Sequence, residues 1–439
     1  MVLNTHTYEE YVNTYRRNTA VSVIGLGYVG LPLVCLCAEK KYTTYGIDID
    51  PQKVELIKQR SCPVHDHELQ EALNKVKFIA TTNFEVVRNT SVVVVCVPTP
   101  IDQKHNPDFE PLKSACRAIQ EHLRRNHLII IESTVSPGAC EEIVRPILEK
   151  SGLKAGKDFD IAHCPERIDP GNKKWSVRNI PRVLAATSSK GLQKALSFYR
   201  GILEADVTPM KSIKEAEATK MVENAFRDIN IAFVNELAKS FSKMGIDITE
   251  VIKAASTKPF SFLPHYPGCG VGGHCIPVDP YYLIRQAKKN GFNHKFLKLA
   301  REINENMPDY TVDLLVKELR RLHKSAKKAN IGIMGLAYKP DVDDTRESPV
   351  YKIIELLKAT QANLHIYDPF IKEQSTVKSL DELLEKSDAL VLVTPHQEFV
   401  NMDLEKLRDN RTKIVIDGRN CLDKEKIQKL GIVYRGIGR

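Results

Sequence analysis

The chain has no CxxC pair, no long block of one charge and no apolar run of membrane length, and each absence argues against a class of function. Its ten cysteines follow no regular spacing, which argues against a zinc ribbon or a disulfide framework. Several, including Cys35, Cys37 and Cys96, sit in apolar runs and read as small core residues, a usage suited to a reducing compartment. The longest apolar run, VVVVCV at 92–97, has the length of a strand, whereas a membrane helix needs about 20 residues. The first twenty residues lack the apolar segment of a secretory signal. A cytoplasmic protein without membrane insertion is expected. The formal charge of +9 is spread out, with only short clusters such as Arg124-Arg125 and Lys327-Lys328. Nucleic acid would call for a denser basic stripe with interleaved aromatics, so none is expected as a partner. A mild positive excess suits an anionic small molecule instead.

What is present is organised in three parts. At 439 residues the chain is too long for one core. β-Branched runs at 20–25, 45–50, 91–98, 127–134 and 159–165 alternate with helical text, the βαβ pattern of a doubly wound parallel sheet. From Ser212, a plausible N-cap, about 30 residues run without glycine or proline, and Met221, Ala225, Phe226, Ile229, Ala232 and Phe233 recur at helical spacing. Helical text continues at 248–256, 280–290 and 294–324. Strand runs return at 330–335, 363–369, 388–395 and 412–418, echoing the first set in order: VSVIGLGYVG by IGIMGLAYKP, YGIDIDP by LHIYDPF. The fold class expected is α/β: two Rossmann-like doubly wound parallel-sheet domains joined by a central all-helical domain with a long helix.

Gly25-Leu-Gly27-Tyr28-Val29-Gly30 follows a strand and opens a helix. Its glycines suit a tight turn, close approach of a pyrophosphate and helix–strand packing. Asp48 ends the second strand, where a carboxylate can bind a ribose 2′-hydroxyl. That favours NAD over NADP, although Lys53 nearby weakens the preference. Pro98-Thr99 and Ser133-Thr134 end later strands, on the side where such sheets bind ligands. In the second strand-rich half, Gly335 keeps the turn but the other glycines are gone. Lys339 appears instead and suits a nucleotide's phosphates, with Arg346 and Arg419 on loops after strands.

Between these halves stands GCGVGGHCIPVDPYY, with four glycines among residues 268–273. Three readings compete. A metal site would use His265, Cys269, His274 and Cys275, but their spacing fits no ligand pattern, so no metal is expected. A structural turn needs fewer glycines. A thiolate at Cys275 beside a substrate fits the dinucleotide site: a dehydrogenase that makes an aldehyde next to a cysteine can trap a thiohemiacetal, oxidise it again and hydrolyse the thioester. Such chemistry needs an oxyanion partner, for which Lys220 and Asn224 lie one helical turn apart. It also needs a carboxylate to activate water, for which Asp279 and Glu166 are candidates.

GLGYVGLPL, CVPTP, ESTVSPG, CPERIDPGN, KMVEN, GVGGHCIPVDPYYL, GLAYKPDVDDTRESP and VIDGRN stand in the order seen in the UDP-glucose/GDP-mannose dehydrogenase family, which the chain resembles from about Val21 to Asn420. The resemblance is strongest to the UDP-N-acetylhexosamine dehydrogenases, and within them to the UDP-N-acetylglucosamine branch. Arg167 stands where UDP-glucose members carry an aromatic residue, Pro170 where they carry a second glutamate, and Val278 where a lysine often precedes the loop aspartate. The resemblance implies oxidation of a sugar C6 alcohol to a uronic acid with two NAD+ per turnover. Cys275 would be the nucleophile, Lys220 and Asn224 the oxyanion partners, Asp279 and Thr134 assistants to water and proton transfer, and Glu166 the group acting in thioester hydrolysis. NAD would be held by Gly25, Gly27, Tyr28, Val29, Gly30, Asp48, Lys53, Pro98, Thr99, Thr134 and Arg346. The UDP-sugar would meet Glu166, Arg167, Lys220, Asn224, Tyr266, Gly272, Lys339 and Arg419. The implied domains are an extension at 1–18, an NAD-binding domain at 19–209, a central dimerisation domain at 210–325 and a UDP-sugar-binding domain at 326–439, giving a homodimer through the middle helices.

Overall fold

The structure is a computed structural model that describes residues 19–64, 66–102, 104–168, 172 and 174–439. The expected extension at 1–18 and Pro170 lie outside the described residues. The described chain groups into two compact units, 19–223 with 281–290 and 224–280 with 291–439, so the middle helices are shared out between the two.

The first unit is built on strands β1 (Ala20–Ile24), β2 (Thr43–Ile47), β3 (Ile79–Thr81), β4 (Val92–Val95), β5 (Leu128–Ile131), β6 (Asp160–His163), β7 (Arg182–Ala186) and β8 (Val207–Pro209). They form one sheet in the order β3-β2-β1-β4-β5-β6-β7-β8, parallel except for the β6–β7 pair. Successive side chains leave a strand on opposite faces. Val92 and Val94 therefore enter one apolar core, with Leu128 and Ile130, while Val93 and Val95 enter the other, with Ile129 and Ile131. Burial on both faces explains why these strands read as unbroken apolar runs rather than alternating ones. β3, β7 and β8 carry no such run; β3 and β8 are three-residue edge strands, and β7 opens on a buried arginine.

The second unit holds β9 (Asn330–Met334), β10 (Asn363–Tyr367), β11 (Ala389–Leu392), β12 (Ile414–Asp417) and β13 (Val433–Gly436), all parallel in the order β10-β9-β11-β12-β13. This is the shorter of the two common doubly wound orders, whereas the first sheet begins in the dinucleotide-binding order. The sequence echo has a geometric counterpart. Gly25 donates its amide to the Ile47 carbonyl at 2.8 Å, and Gly335 donates its own to the Tyr367 carbonyl at 2.9 Å. Both glycines have left-handed φ, +92° and +95°.

The long helix spans Ile213–Met244, 32 residues. Ser212 caps it reciprocally: its hydroxyl accepts from the Glu215 amide at 3.3 Å, and its own amide donates to the Glu215 carboxylate at 3.0 Å. The helix passes from the first unit to the second after Glu223. Its apolar residues do not share one face. Met221, Ala225 and Ala232 are buried, while Phe226 and Phe233 are about half exposed at 49% and 55%. The buried face includes Asp228 and Asn235, polar residues that a hydrophobic period passes over. The helical text at 294–324 is two helices, Phe296–Glu305 and Met307–Arg321, because Pro308 fits only the first turn of a helix.

Candidate active site

In the first unit the turn after β1 meets the end of β4, where the strand order reverses and such sheets bind ligands. A side chain at Gly25 would lie 2.7 Å from the Cys96 carbonyl oxygen, and one at Gly30 would run into Gly25 itself. Gly27 differs: nothing lies within 4 Å of where its Cβ would be, so the space over the first turn of helix Gly30–Glu39 is open. Asp48, 6% exposed, accepts from the Leu26 amide at 2.8 Å and pairs with Lys53 at 3.0 Å, which holds its carboxylate beside this space. These residues fit a dinucleotide with its pyrophosphate at a helix N-terminus and its ribose on an acid. Two substitutions separate fold from cofactor. Gly27→Ala is expected to leave Tm within about 2 °C while one misplaced methyl, costing about 1–3 kcal/mol, weakens NAD binding about tenfold or more. Gly25→Ala is expected to lower Tm itself. Thermal melts and NAD titrations check both, and equal loss of Tm in the two variants would contradict this assignment.

The ends of β4, β5 and β6, neighbours in the sheet, carry Thr99, Thr134 and Glu166. The Thr99 hydroxyl donates to the Thr134 carbonyl at 2.7 Å, and Ser133 donates to the Val97 carbonyl at 2.7 Å, so the two loops form one ledge. Tyr282 completes it by donating to the Thr99 carbonyl at 2.6 Å. Glu217 on the long helix accepts from the amides of Gly138 at 2.5 Å and Cys140 at 2.8 Å, anchoring the segment after Thr134; burial raises its carboxyl to about 7. Glu166 is 6% exposed, paired with the wholly buried Arg182 at 2.9 Å and capped by the Ile168 amide. Arg167 turns instead to Glu223 and to the Pro181 carbonyl. Lys220 is 8% exposed, and its side chain makes no hydrogen bond or ion pair with any described residue. An almost buried ammonium without a counter-charge is costly.

In the second unit Cys275 is half-buried and opens a helical turn: its carbonyl accepts from the amides of Val278 at 3.0 Å and Asp279 at 2.8 Å, and helix Asp279–Lys289 follows. Asp279, 1% exposed, accepts from the Asn224 amide at 2.5 Å. The glycines of the loop are accounted for by protein packing. A Cβ at Gly268 would lie 2.7 Å from the Arg419 guanidinium, one at Gly270 2.6 Å from Pro349, and those at Gly272 and Gly273 2.7 and 2.8 Å from Tyr338. These glycines let Arg419, Pro349 and Tyr338 come up against the loop. Cys269 is wholly buried, its amide bonded to the Gly418 carbonyl at 3.1 Å and its sulfur against Gly418, so it is a core residue. The loop starts from a polar ladder that the sequence pattern did not reveal. The Gly268 amide donates to Asn235 at 2.9 Å, Asn235 donates to Asn304 at 2.9 Å, and Asn304 and Arg301 both hold Asp228.

Lys339 and Arg346 lie on the loop after β9, and Arg419 follows β12. Arg346 forks onto Asp344 and accepts the Gly273 amide on its carbonyl at 3.0 Å, which ties this loop to the cysteine loop. Arg419 donates to the Val393 carbonyl at 2.9 Å, at the end of β11. Tyr266 is exposed. Asp368, the counterpart of Asp48, is 0% exposed and saturated: it takes the amides of Leu336, Ala337, Phe370 and Ile371 and the His396 ring. Burial pushes its carboxyl up, but His396 and these amides outweigh burial and bring it to about 2. With no oxygen left for a ribose, this sheet is unsuited to a second dinucleotide.

Residues 19–203 match the NAD binding domain of the UDP-glucose/GDP-mannose dehydrogenase family, 214–306 its central domain and 332–424 its UDP binding domain. A UDP-N-acetyl-D-mannosamine dehydrogenase of Pyrococcus horikoshii is 36% identical over 424 residues, covering 95% of this chain and 99% of that one. A UDP-N-acetyl-D-glucosamine 6-dehydrogenase of Pseudomonas aeruginosa is 37% identical over 424 residues, covering 93% and 99%. The solved structure of the UDP-D-ManNAc dehydrogenase from Pyrococcus horikoshii superposes with a TM-score of 0.90 at 35% identity, covering 96% and 99%. With all three domains matched in order and a dinucleotide cradle in the first, the chain belongs to the UDP-glucose/GDP-mannose dehydrogenase family and uses NAD.

Proposed function

We propose that this protein oxidises the C6 alcohol of UDP-N-acetylglucosamine to the uronic acid, passing through a thiohemiacetal and a thioester on Cys275. Lys220 carries this reading. A mostly buried lysine with no counter-charge among the described residues suits an oxygen that becomes anionic during the reaction. Asn224, one turn further along the same helix, is bonded to Asp279, four residues after the cysteine.

Bound NAD+ supplies the hydride acceptor for each of the two oxidations. Cys275 adds to the C6 aldehyde, and Lys220 and Asn224 steady the oxygen that gains charge. Water then adds to the thioester carbon, the C–S bond breaks, the thiolate leaves, and Glu166 takes the water's proton, with Asp279 and Thr134 orienting the water. Arg346 is assigned to the cofactor side, Lys339 and Arg419 to the UDP diphosphate, and Arg167, Tyr266 and Gly272 to the sugar. Phe226 and Phe233 on the exposed face of the long helix, with Leu263 and Phe260, support a homodimer through the middle helices. No described helix is long and apolar enough to cross a membrane, and ten cysteines of which none forms a disulfide support a cytoplasmic setting.

Relatives named for either C2 epimer support an N-acetylhexosamine, and UDP-N-acetylmannosamine is the second reading because the Pyrococcus horikoshii relative carries that name. Counting NADH per sugar consumed with UDP-N-acetylglucosamine, UDP-N-acetylmannosamine and UDP-glucose tests the proposal. Two NADH from UDP-N-acetylglucosamine are expected. One per sugar would reduce the enzyme to an alcohol dehydrogenase, none with any UDP-sugar would make it a binding protein, and preference for the mannosamine would change the epimer.

A further inference from the structure

Behind Glu166 lies a buried polar group that the mechanism above leaves unused. Arg182, on β7, is 0% exposed. Its Nη1 donates to Glu166 Oε2 at 2.9 Å and lies 3.6 Å from Glu132 Oε2. Glu132, which follows β5, is 1% exposed and accepts from the equally buried Tyr199 hydroxyl at 2.5 Å through its other oxygen. Arg182 Nε and Nη2 and Glu132 Oε2 have no hydrogen-bond partner among the described residues. Two acids therefore face one guanidinium nitrogen, and the acid at hydrogen-bond distance is Glu166. Packed apolar residues often replace a buried charged group of this kind without loss of stability, so folding alone is a weak reason for it.

We propose that Arg182, with Glu132 behind it, is a positioning residue for the hydrolytic half of the reaction: it keeps Glu166 turned so that the carboxylate can receive the proton of the water that cleaves the thioester. Arg182 occupies Oε2 and the Ile168 amide occupies Oε1, which fixes the carboxylate plane while each oxygen keeps a second lone pair. Glu132 backs Arg182 from the other side, 3.6 Å from the same guanidinium nitrogen and held in turn by the Tyr199 hydroxyl. Its own carboxyl is raised to about 7, by burial first and then by Glu166 against the pull of Arg182. The other titratable neighbours are Tyr199, Cys164, Cys96 and Cys37, all raised by burial and therefore neutral at working pH.

The inference rests on Glu166 acting on the thioester, so Glu166→Gln is the control. In single-turnover reactions followed by intact mass, Glu166→Gln is expected to accumulate the sugar-nucleotide thioester on Cys275. Arg182→Met should do the same, with the acid-forming step slowed at least about tenfold and the preceding NADH release largely retained. Arg182→Lys should recover part of the rate. Glu132→Gln, which also serves if Arg182→Met fails to fold, should slow acid formation less than Arg182→Met does, with the preceding NADH release retained and the thioester on Cys275 accumulating. If Glu166→Gln accumulates no adduct, the functional reading fails. If it does, and Arg182→Met slows both half reactions equally without adduct, this inference alone fails.

Discussion

Cys275→Ser is expected to lose acid formation on the order of 10³-fold or more, the scale seen when a nucleophile is removed, while NAD and UDP-sugar binding stay within a few-fold on titration. The reason is chemical: a hydroxyl in the same place is far less ionised and a far poorer nucleophile than a thiol. Each of the other nine cysteines has its thiol raised by burial, from Cys62 near the surface to Cys140 and Cys164 in the interior. Buried thiols of this kind are poor nucleophiles. Cys275 is half-buried and lies at the N-terminal turn of a helix. Acid production by the serine variant at the native rate, with two NADH per sugar, would sink the nucleophile assignment.

Lys220→Met should separate activity from stability, with opposite signs. The loss of an oxyanion partner is expected to lower kcat about 10²- to 10³-fold. The same change removes an almost buried charge that no described residue compensates and fills its space with an apolar chain of similar length. Stability should therefore rise by about 1 kcal/mol, or about 2–4 °C in Tm. A residue kept for packing would behave in the reverse way, losing stability and keeping rate. Initial-rate assays and thermal melts on one preparation decide between the two. A lowered Tm with native kcat would show Lys220 to be structural.

The chemistry-bearing motifs were legible from residue order because each depends on neighbours along the chain. Gly25 and Gly30 announce a turn into a helix, and Cys275 and Asp279 are separated by one helical turn. The central strands were legible for a similar reason: burial on both faces forces unbroken β-branched runs such as that of β4. Edge strands β3 and β8, three residues each, carry too little pattern to be read. The helical period put Phe226 and Phe233 on the face of Met221, although the structure buries Met221 and exposes both phenylalanines. That period cannot register Asp228 and Asn235, polar residues drawn inward by Arg301, Asn304 and the Gly268 amide.

The sequence by itself determined the family and the cofactor, and it supplied the residues proposed to meet the chemistry, because each follows from side-chain type at fixed short spacing. Only the tertiary structure decided what those residues rest on. The glycines around Cys275 turned out to admit Tyr338, Pro349 and Arg419. Asp368 copies the position of Asp48 but is saturated by four amides and His396, which removes it as a ribose ligand. Glu166 is set by Arg182, sixteen residues along the chain, and Arg182 in turn by Glu132, fifty residues before it. Partners at such separations meet only when strands pair, so local pattern could not contain them.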